Sequence, residues 1–324
     1  MVKIGSVDKL LEECGCTDIL EKEARELSLA NKITKLKFMM HDSTDENERA
    51  ECKDAIDFLE KELAEAEEML DKYNYIDDER RNMLKRLELK NVSKSYFLND
   101  TVLDVINDIS FDLEEGKILA VVGPSGTGKS TILNLITGIV KPTSGEVMKN
   151  GCIGYMFQHD LLFEWRTVFS NLFVGLEINK KITKEDEEKA LKLLEKYELL
   201  EFKDSYPKEL SGGMRQRIAL IRTLMINPNI LLLDEPFSAL DSQTRIKISN
   251  DVYKTIKEEH LSAILVTHDI TEAISMADKI IVLSKRPAKI LKIYDVDLCE
   301  NTPLEKRTNP KFNKYFEMIW NDLT

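Results

Sequence analysis

The sequence predicts an α/β protein that is preceded by an all-helical N-terminal segment. Short apolar runs recur along the chain and are separated by helical patterns: residues 117–122, 230–233, 263–266 and 279–283. This alternation is typical of buried, mostly parallel strands connected by helices. Hydrophobic residues make up 43% of the 324 residues, which is enough apolar material for a core and excludes wholesale disorder.

Residues 1–85 are predicted to form an acidic helical extension, because they contain no proline and only one glycine beyond the start. Thr17 can cap a first helix that carries Ile19, Leu20, Ala24 and Leu27. Between residues 47 and 73, apolar side chains recur at spacings of three and four: Ile56, Leu59, Leu63, Ala66, Leu70 and Tyr73. With a turn at residues 41–45, the pattern favours a small helical hairpin whose role the sequence leaves open.

Charge and cysteine content restrict the class of protein further. The net charge is −12, and residues 1–85 hold 23 acidic against 14 basic side chains, so we expect no nucleic-acid partner. The start of the chain lacks an apolar signal sequence, and no apolar run approaches the ~18 residues of a membrane helix. Five cysteines then indicate reduced thiols. A metal site of Cys14, Cys16 and Cys52 with His41 is disfavoured, since the spacing matches no zinc pattern.

A glycine-rich loop follows the apolar run that ends at Val122. Residues 123–130 read G-P-S-G-T-G-K-S, which fits the phosphate-binding pattern G-x-x-x-x-G-K-[ST], and a helical pattern follows. Glycines let successive backbone N–H groups point at phosphate oxygens, and the helix N-terminus adds its positive dipole. Lys129 supplies a cation for the β- and γ-phosphates, and Ser130 a hydroxyl for Mg²⁺. The predicted nucleotide-binding residues of this loop are Gly123, Pro124, Ser125, Gly126, Thr127, Gly128, Lys129, Ser130 and Thr131.

Two carboxylates end the apolar run at residues 230–233. Open α/β sheets bind ligands at the carboxyl ends of their strands, which is where Asp234 and Glu235 are expected. Asp234 is predicted to hold Mg²⁺ together with Ser130. Glu235 is placed to polarise an attacking water, as a base or as an orienting group.

Residues 210–217, L-S-G-G-M-R-Q-R, resemble the signature of the ATP-binding-cassette (ABC) ATPases. The other motifs of that family occur before and after it, in the order that the family has. The resemblance covers about residues 87–290 and more weakly 291–324. It implies that Tyr96 stacks on adenine, with Phe97 as an alternative, and that Gln158 contacts Mg²⁺ and water. It also implies that Asp241 belongs to the D-loop and that His268 contacts the γ-phosphate.

The family implies a fold, a cofactor pair and an assembly. The expected fold is a P-loop NTPase ABC cassette at residues 86–290, with a RecA-like mixed sheet core, an antiparallel β subdomain and a helical signature subdomain at about 160–225; residues 291–324 form a C-terminal tail. ATP and Mg²⁺ are the implied cofactors. Two copies of the chain would sandwich two ATP molecules, with Glu235, His268 and Gln158 as the catalytic residues. The facing copy would contribute the signature turn, defined as Ser211, Gly212 and Gly213, together with Asp241.

The region after Gln158 is similar to importer ATPases, and most closely to those of the nitrate/sulfonate/taurine group. The similarity implies two membrane permease subunits, an extracellular solute-binding protein, and a peripheral location on the cytoplasmic face of the membrane. It also implies that Trp165 and Val168 form the apolar floor of the groove that receives a permease helix, with plain subdomain core as the alternative for both. Glu164 departs from the proline that is frequent in that group. Importers of thiamine-precursor pyrimidines look almost the same, and a soluble non-transport ABC ATPase with a regulatory N-terminal segment is the alternative from another class.

Overall fold

The computed structural model describes Leu29, Lys32, Ile33, Lys37, Ala50, Lys53, residues 55–64, and residues 85–323 except 99, 100, 179, 180, 239, 299 and 301. The chain divides into two units, residues 1–83 and 84–324. In the first unit, residues 55–64 are helical, within the stretch that the sequence predicts as the second helix, and Ile56 is buried. The predicted helix after Thr17, the turn at 41–45, and Cys14, Cys16 and Cys52 lie outside the described residues.

Three strands of the second unit form an antiparallel sheet. β1 (Lys85–Leu98) pairs with β2 (Thr101–Glu114) on one side and with the later strand β4 (Ser144–Lys149) on the other. Apolar residues oppose each other in the register of β1 and β2: Leu87 with Leu113, Leu89 with Phe111 and Val92 with Ile109. These side chains share one apolar cluster with one face of the central sheet and with the helix that starts at Lys129. This cluster attaches the antiparallel sheet to the core.

The central sheet has six strands in the order β5-β6-β7-β3-β8-β9. They are β3 (Ile118–Val122), β5 (Ile153–Met156), β6 (Ile230–Asp234), β7 (Ser262–Thr267), β8 (Lys279–Leu283) and β9 (Ile290–Asp295). Neighbouring strands are parallel except β9, which runs antiparallel to β8. Every residue of β3, β6 and β7 is buried, as expected for strands covered on both faces. The prediction of buried, mostly parallel strands separated by helices is therefore confirmed.

Helices cover both faces of this sheet. In chain order they are α1 (Lys129–Thr137), α2 (Val168–Leu172), α3 (Val174–Glu177), α4 (Lys184–Lys196), α5 (Gly212–Leu224), α6 (Ser242–Glu258), α7 (Ile270–Met276), α8 (Pro303–Lys306) and α9 (Pro310–Leu323). Short 3-10 turns lie at Leu200–Phe202 and Pro207–Glu209. None of these helices, nor any other in the described part of the chain, is both long and apolar enough to span a bilayer.

Helices α2, α3 and α4 pack against α5, which contacts the edge strand β5, and all four lie within the interval predicted for the helical subdomain. A capping box starts α4, since the Thr183 hydroxyl accepts from the Asp186 amide and the Asp186 carboxylate accepts from the Thr183 amide. Residues 291–323, predicted as a tail, pack on the same core: β9 extends the central sheet, and Phe312 and Ile319 of α9 are buried.

Candidate functional site

The phosphate-binding loop connects the buried strand β3 to α1. Gly126 and Gly128 have φ values of 73° and 115°, and a Cβ at Gly128 would lie 2.7 Å from Val105 Cγ1, so only glycine fits there. Helix α1 starts without a side-chain cap. By contrast, side chains cap the N-termini of α4, α5, α6 and α7. The first-turn amides of α1 are therefore left for an anion.

Lys129, the first residue of α1, is buried and folds back over the loop. Its Nζ donates hydrogen bonds to the carbonyls of Gly123 and Pro124, at 2.8 and 3.0 Å. The Thr127 hydroxyl also donates to the Pro124 carbonyl, at 2.6 Å. Burial lowers the pKa of Lys129, while the negative charges of Glu235 and Asp234 act in the opposite direction. A poorly solvated cation thus lies against a loop whose free amides already favour phosphate.

Asp234 closes the other side of this loop. Its carboxylate is buried at the carboxyl end of β6, where the Tyr155 hydroxyl donates to Oδ2 at 3.2 Å. Burial raises the pKa of Asp234, and hydrogen bonds from Ser130 and Tyr155 counteract that rise. The Ser130 hydroxyl and the Asp234 carboxylate are neighbouring hard oxygen donors, so the residues present fit Mg²⁺.

Three predicted catalytic residues meet at adjacent strand ends, and we call Gln158, Glu235 and His268 the catalytic cluster. Glu235 Oε2 lies 3.2 Å from His268 Nδ1 and accepts from Gln158 Nε2 at 3.4 Å. Gln158 follows β5, Glu235 follows β6 and His268 follows β7, and these strands are neighbours in the sheet. Glu235 has φ of 44°, held by its amide donating to the Val266 carbonyl at 2.8 Å. A carboxylate fixed in this strained conformation beside an imidazole and an amide can orient and deprotonate a water.

Tyr96 lies on β1, where the register pairs it with Leu103, two residues from the Val105 that contacts Gly128. It is half-buried, with Lys94 Nζ 4.9 Å from the ring centroid. Phe97, the alternative, is 80% exposed. The register therefore brings this part of β1 to the side of the phosphate-binding loop, and the stacking role of Tyr96 stays a prediction.

The signature turn lies elsewhere on the surface. Ser211 caps α5 by accepting from the Met214 amide, and Asp241 caps α6 by accepting from the amides of Gln243 and Thr244. A Cβ on Gly213 would lie 2.8 Å from Thr244 Cγ2, which shows how closely the two helix starts approach. Ser211, Gly212 and Asp241 are exposed, as a contact with a second molecule requires.

Three residues that the sequence does not single out also belong to the site. Tyr155 reads only as part of an apolar run, although it binds Asp234. Arg245 and Glu272 carry ionic contacts behind the catalytic cluster. Glu272 stands three residues after Asp269, which caps α7. An acidic side chain at that position of a helix start is a recognisable signal, but its connection to Arg245 depends on the fold.

The chain is similar to known proteins along most of its second unit. Residues 106–238 match the family model described as ABC transporter. An uncharacterised ABC transporter ATP-binding protein of Bacillus subtilis, YtlC, is 43% identical over 247 residues, covering 73% of this chain and 95% of that protein. The taurine import ATP-binding protein TauB of Roseobacter denitrificans is 38% identical over 252 residues, covering 72% of this chain and 94% of its own length.

Two more matches concern sulfonate import and a solved structure. The aliphatic sulfonates import ATP-binding protein SsuB of Bacillus cereus is 38% identical over 217 residues, covering 64% of this chain and 85% of that protein. A dimeric structure of the ATP-binding cassette MJ0796, in a post-hydrolysis state bound to ADP and Pi, superimposes with a TM-score of 0.59 at 32% identity. It covers 65% of this chain and 99% of that one.

Proposed function

Because the chain belongs to the ATP-binding proteins of ABC transporters and is therefore an ATPase, and because relatives of it are named for import, we propose that it powers uptake of a small solute through a partner permease. The observation that carries this proposal is the convergence of Lys129, Ser130 and Asp234 with the catalytic cluster at adjacent strand ends. The groups proposed to hold the β- and γ-phosphates from one side and to activate water therefore come from one chain.

The proposed hydrolysis follows from the roles of these side chains. The loop amides and Lys129 hold the β- and γ-phosphates and neutralise charge that develops on them. Mg²⁺ held by Ser130 and Asp234, with Gln158 beside it, would supply Lewis-acid polarisation of the phosphate oxygens. Glu235 orients the attacking water and accepts its proton, while His268 donates to the γ-phosphate. The water oxygen bonds to the γ-phosphorus while the bond from that phosphorus to the bridging oxygen breaks, and the electron pair of the broken bond leaves with ADP. The proton taken up by Glu235 is then lost to the phosphate product or to solvent, and ADP and phosphate are released.

The signature turn is proposed to act on the nucleotide of a second copy. Ser211 and Gly212 are exposed at the start of α5, so they are accessible to a phosphate bound by another molecule. We propose a head-to-tail homodimer in which Asp241 lies at the same interface. The dimeric arrangement of the matched cassette supports this assembly. ATP would then close the dimer, and loss of the γ-phosphate would open it.

A nitrate-, sulfonate- or taurine-like anion is the proposed solute. The support is the pair of relatives named for taurine import and aliphatic sulfonate import, each 38% identical to this chain. Two transmembrane permease subunits and an extracellular solute-binding protein would complete the importer, with this chain bound at the cytoplasmic face. A permease transporting a thiamine-precursor pyrimidine is the solute alternative, and purifying the complex and measuring which solute stimulates its ATPase distinguishes the two.

Lys129→Ala tests the binding role. We expect it to weaken binding of a fluorescent ATP analogue at least tenfold. Lys149→Ala is the matched control, because Lys149 Nζ also donates to two backbone carbonyls, those of Ile136 and Thr137, but at the other end of α1. Wild-type affinity in Lys129→Ala, or an equal loss in Lys149→Ala, contradicts the assignment.

Glu235→Gln tests the catalytic role and the dimer together. The amide keeps the size of the side chain and removes the base, so we expect ATP to remain bound and turnover to fall at least a hundredfold. With Mg-ATP this variant is expected to elute as a dimer in size exclusion, and with ADP as a monomer. Full turnover with a monomeric elution profile would overturn both roles.

A further inference from the structure

Behind the catalytic cluster lies a second charged group that the proposed hydrolysis does not use. Arg245 on α6 and Glu272 on α7 line a cavity of about 30 Å³ together with Glu235 and His268. Glu272 is only 3% exposed, and a carboxylate is rarely buried to this extent unless it is paired. We call Arg245 and Glu272 the positioning pair.

Arg245 connects two loops of the site. Its Nη2 donates to the Leu240 carbonyl at 3.1 Å, beside Asp241. Its Nη1 donates to Asp269 Oδ2 at 3.4 Å, in the residue after His268. A planar guanidinium can serve two acceptors in fixed directions, so these contacts set the distance between the two turns.

Glu272 holds the arginine from the buried side. Its Oε1 lies 3.8 Å from Arg245 Nε, and its Oε2 accepts from the Thr267 hydroxyl at 2.7 Å. Thr267 Oγ1 in turn accepts from the Asp269 amide at 3.0 Å, so the His268 turn is anchored on both sides. Burial raises the pKa of Glu272, while the Thr267 hydrogen bond and the charge of Arg245 act in the opposite direction.

Arg245 Nε is buried and makes no hydrogen bond within the part of the chain that the structure describes. A buried donor without a hydrogen bond costs free energy. We infer that the other contacts of the guanidinium, and not Nε, fix its position. The cavity beside it also borders Glu235 and His268. Because Arg245 bonds to Asp269, the residue after His268, a shift of Arg245 would move the His268 turn.

We propose that Arg245, held by Glu272, is a positioning residue that fixes the turn of Leu240 and Asp241 to the His268 turn. It thereby keeps His268 in place against Glu235 and couples that geometry to contacts that Asp241 makes with a second copy. The inference rests on the proposed ATPase role of the site. Arg245 need not touch the nucleotide.

The test compares Arg245→Gln with Lys257→Gln in the full chain. Lys257 is the matched control, because it lies on the same helix α6, is 33% exposed against 30% for Arg245, and bonds to a carboxylate, that of Asp278, at 2.9 Å far from the site. We expect Arg245→Gln to lower kcat at least tenfold with KM for ATP changed less than twofold. Lys257→Gln should lower the melting temperature about as much as Arg245→Gln does, but leave kcat within twofold of wild type.

Two further variants keep the test decisive. Arg245→Lys retains the charge but lacks the fork that reaches both turns, so it should fold and still lose most of kcat. Glu272→Gln should lower kcat less than Arg245→Gln, and the double variant should be no slower than Arg245→Gln, because the pair acts as one unit.

The outcomes separate this inference from the function beneath it. Folded Arg245→Gln and Arg245→Lys with kcat within twofold of wild type would overturn the positioning role alone. Equal kcat losses in Arg245→Gln and Lys257→Gln would show that Arg245 and Glu272 only stabilise the fold, which would also overturn the positioning role. A wild-type chain that does not hydrolyse ATP would remove the proposed function, and the inference with it.

Discussion

At the scale of single residues, two adjacent glycines of the signature turn have different steric surroundings. A Cβ on Gly213 would lie 2.8 Å from Thr244 Cγ2, within the chain itself. A Cβ on Gly212 would meet nothing within 4 Å, and Gly212 is the first residue of α5. The fold therefore requires a glycine at 213 but not at 212. If function requires a glycine at position 212, the atom that would clash with a Cβ must belong to another molecule.

Gly212→Ala is expected to leave the monomer intact and weaken the dimer. Alanine favours a helix by up to about 1 kcal/mol over glycine, so the melting temperature should stay equal or rise. The added methyl group would meet the nucleotide of the facing copy, so in the Glu235→Gln background the ATP-driven dimer should dissociate at least tenfold more readily. Analytical ultracentrifugation with Mg-ATP measures this.

Gly213→Ala is the comparison, since its methyl group strains the chain and should lower the melting temperature. A Gly212→Ala dimer as stable as the parent would mean that no ligand approaches this turn closely.

At the scale of elements, the segment after Gln158 is bound to helix α5 by arginines. Arg215 donates to both carboxylate oxygens of Asp160, at 2.9 and 3.2 Å, and approaches Glu164 Oε1 at 3.4 Å. Arg222, two turns further along α5, donates to the backbone carbonyls of Asp160 and Leu161. Glu164, which departs from the frequent proline, thus takes part in this contact. A movement of the segment must therefore pull on the helix that starts with the signature turn.

Asp160→Asn tests this connection through its pH dependence. Burial would raise the pKa of Asp160, but hydrogen bonds from Arg215 and the Leu162 amide dominate and hold that pKa below its usual value. A depressed pKa stabilises the folded chain above the unfolded value, near pH 4, and that stabilisation disappears as pH falls through the folded value. We expect the variant to lose about 1–2 kcal/mol of unfolding free energy at pH 7.

Urea denaturation at pH 7, 5 and 3.5 measures the loss, which should shrink only at the lowest pH. In an Arg215→Gln background, Asp160→Asn should change little at any pH, because the main partner is already gone. A difference that is independent of pH would show that the carboxylate charge does not contribute.

How much of this could be read from the sequence depends on how local each feature is. Lys129 and Ser130 were predictable because neighbouring residues alone build the loop and the helix start. The meeting of Asp234 with that loop was also predictable, since parallel strands end at one edge of a sheet. Arg245 and Glu272 lie 27 residues apart on separate helices, and no local pattern indicates that they face each other.

Trp165 and Val168 show the same limit in another form. Both are apolar and were expected to form the floor of one docking groove. Only the fold separates them: Val168 is fully buried in the core, whereas Trp165 is 74% exposed and stacks on Phe163 with ring centroids 4.9 Å apart. The expectation for Val168 was therefore wrong, because its side chain points inward from the first turn of α2.

At the scale of the whole molecule, we expect a permease to contact the exposed apolar side chains of the segment after Gln158. Leu161 is 54% exposed and Trp165 is 74% exposed. Isolated exposed apolar residues are common, but this pair belongs to the segment that the arginines of α5 hold. A permease helix pressing on Trp165 would act on the nucleotide site of a facing copy through α5.

Trp165→Ala is expected to separate coupling from catalysis. The ring is mostly solvated, so its loss should change the melting temperature and the ATPase activity of the isolated chain little. In proteoliposomes with the permease, solute-stimulated ATPase and uptake should fall at least tenfold. Val168→Ala provides the contrast, because a fully buried methyl pair is removed and unfolding free energy should drop by about 1–3 kcal/mol. If Trp165→Ala instead loses stability or basal activity as Val168→Ala does, the tryptophan belongs to the subdomain core and the permease must bind elsewhere.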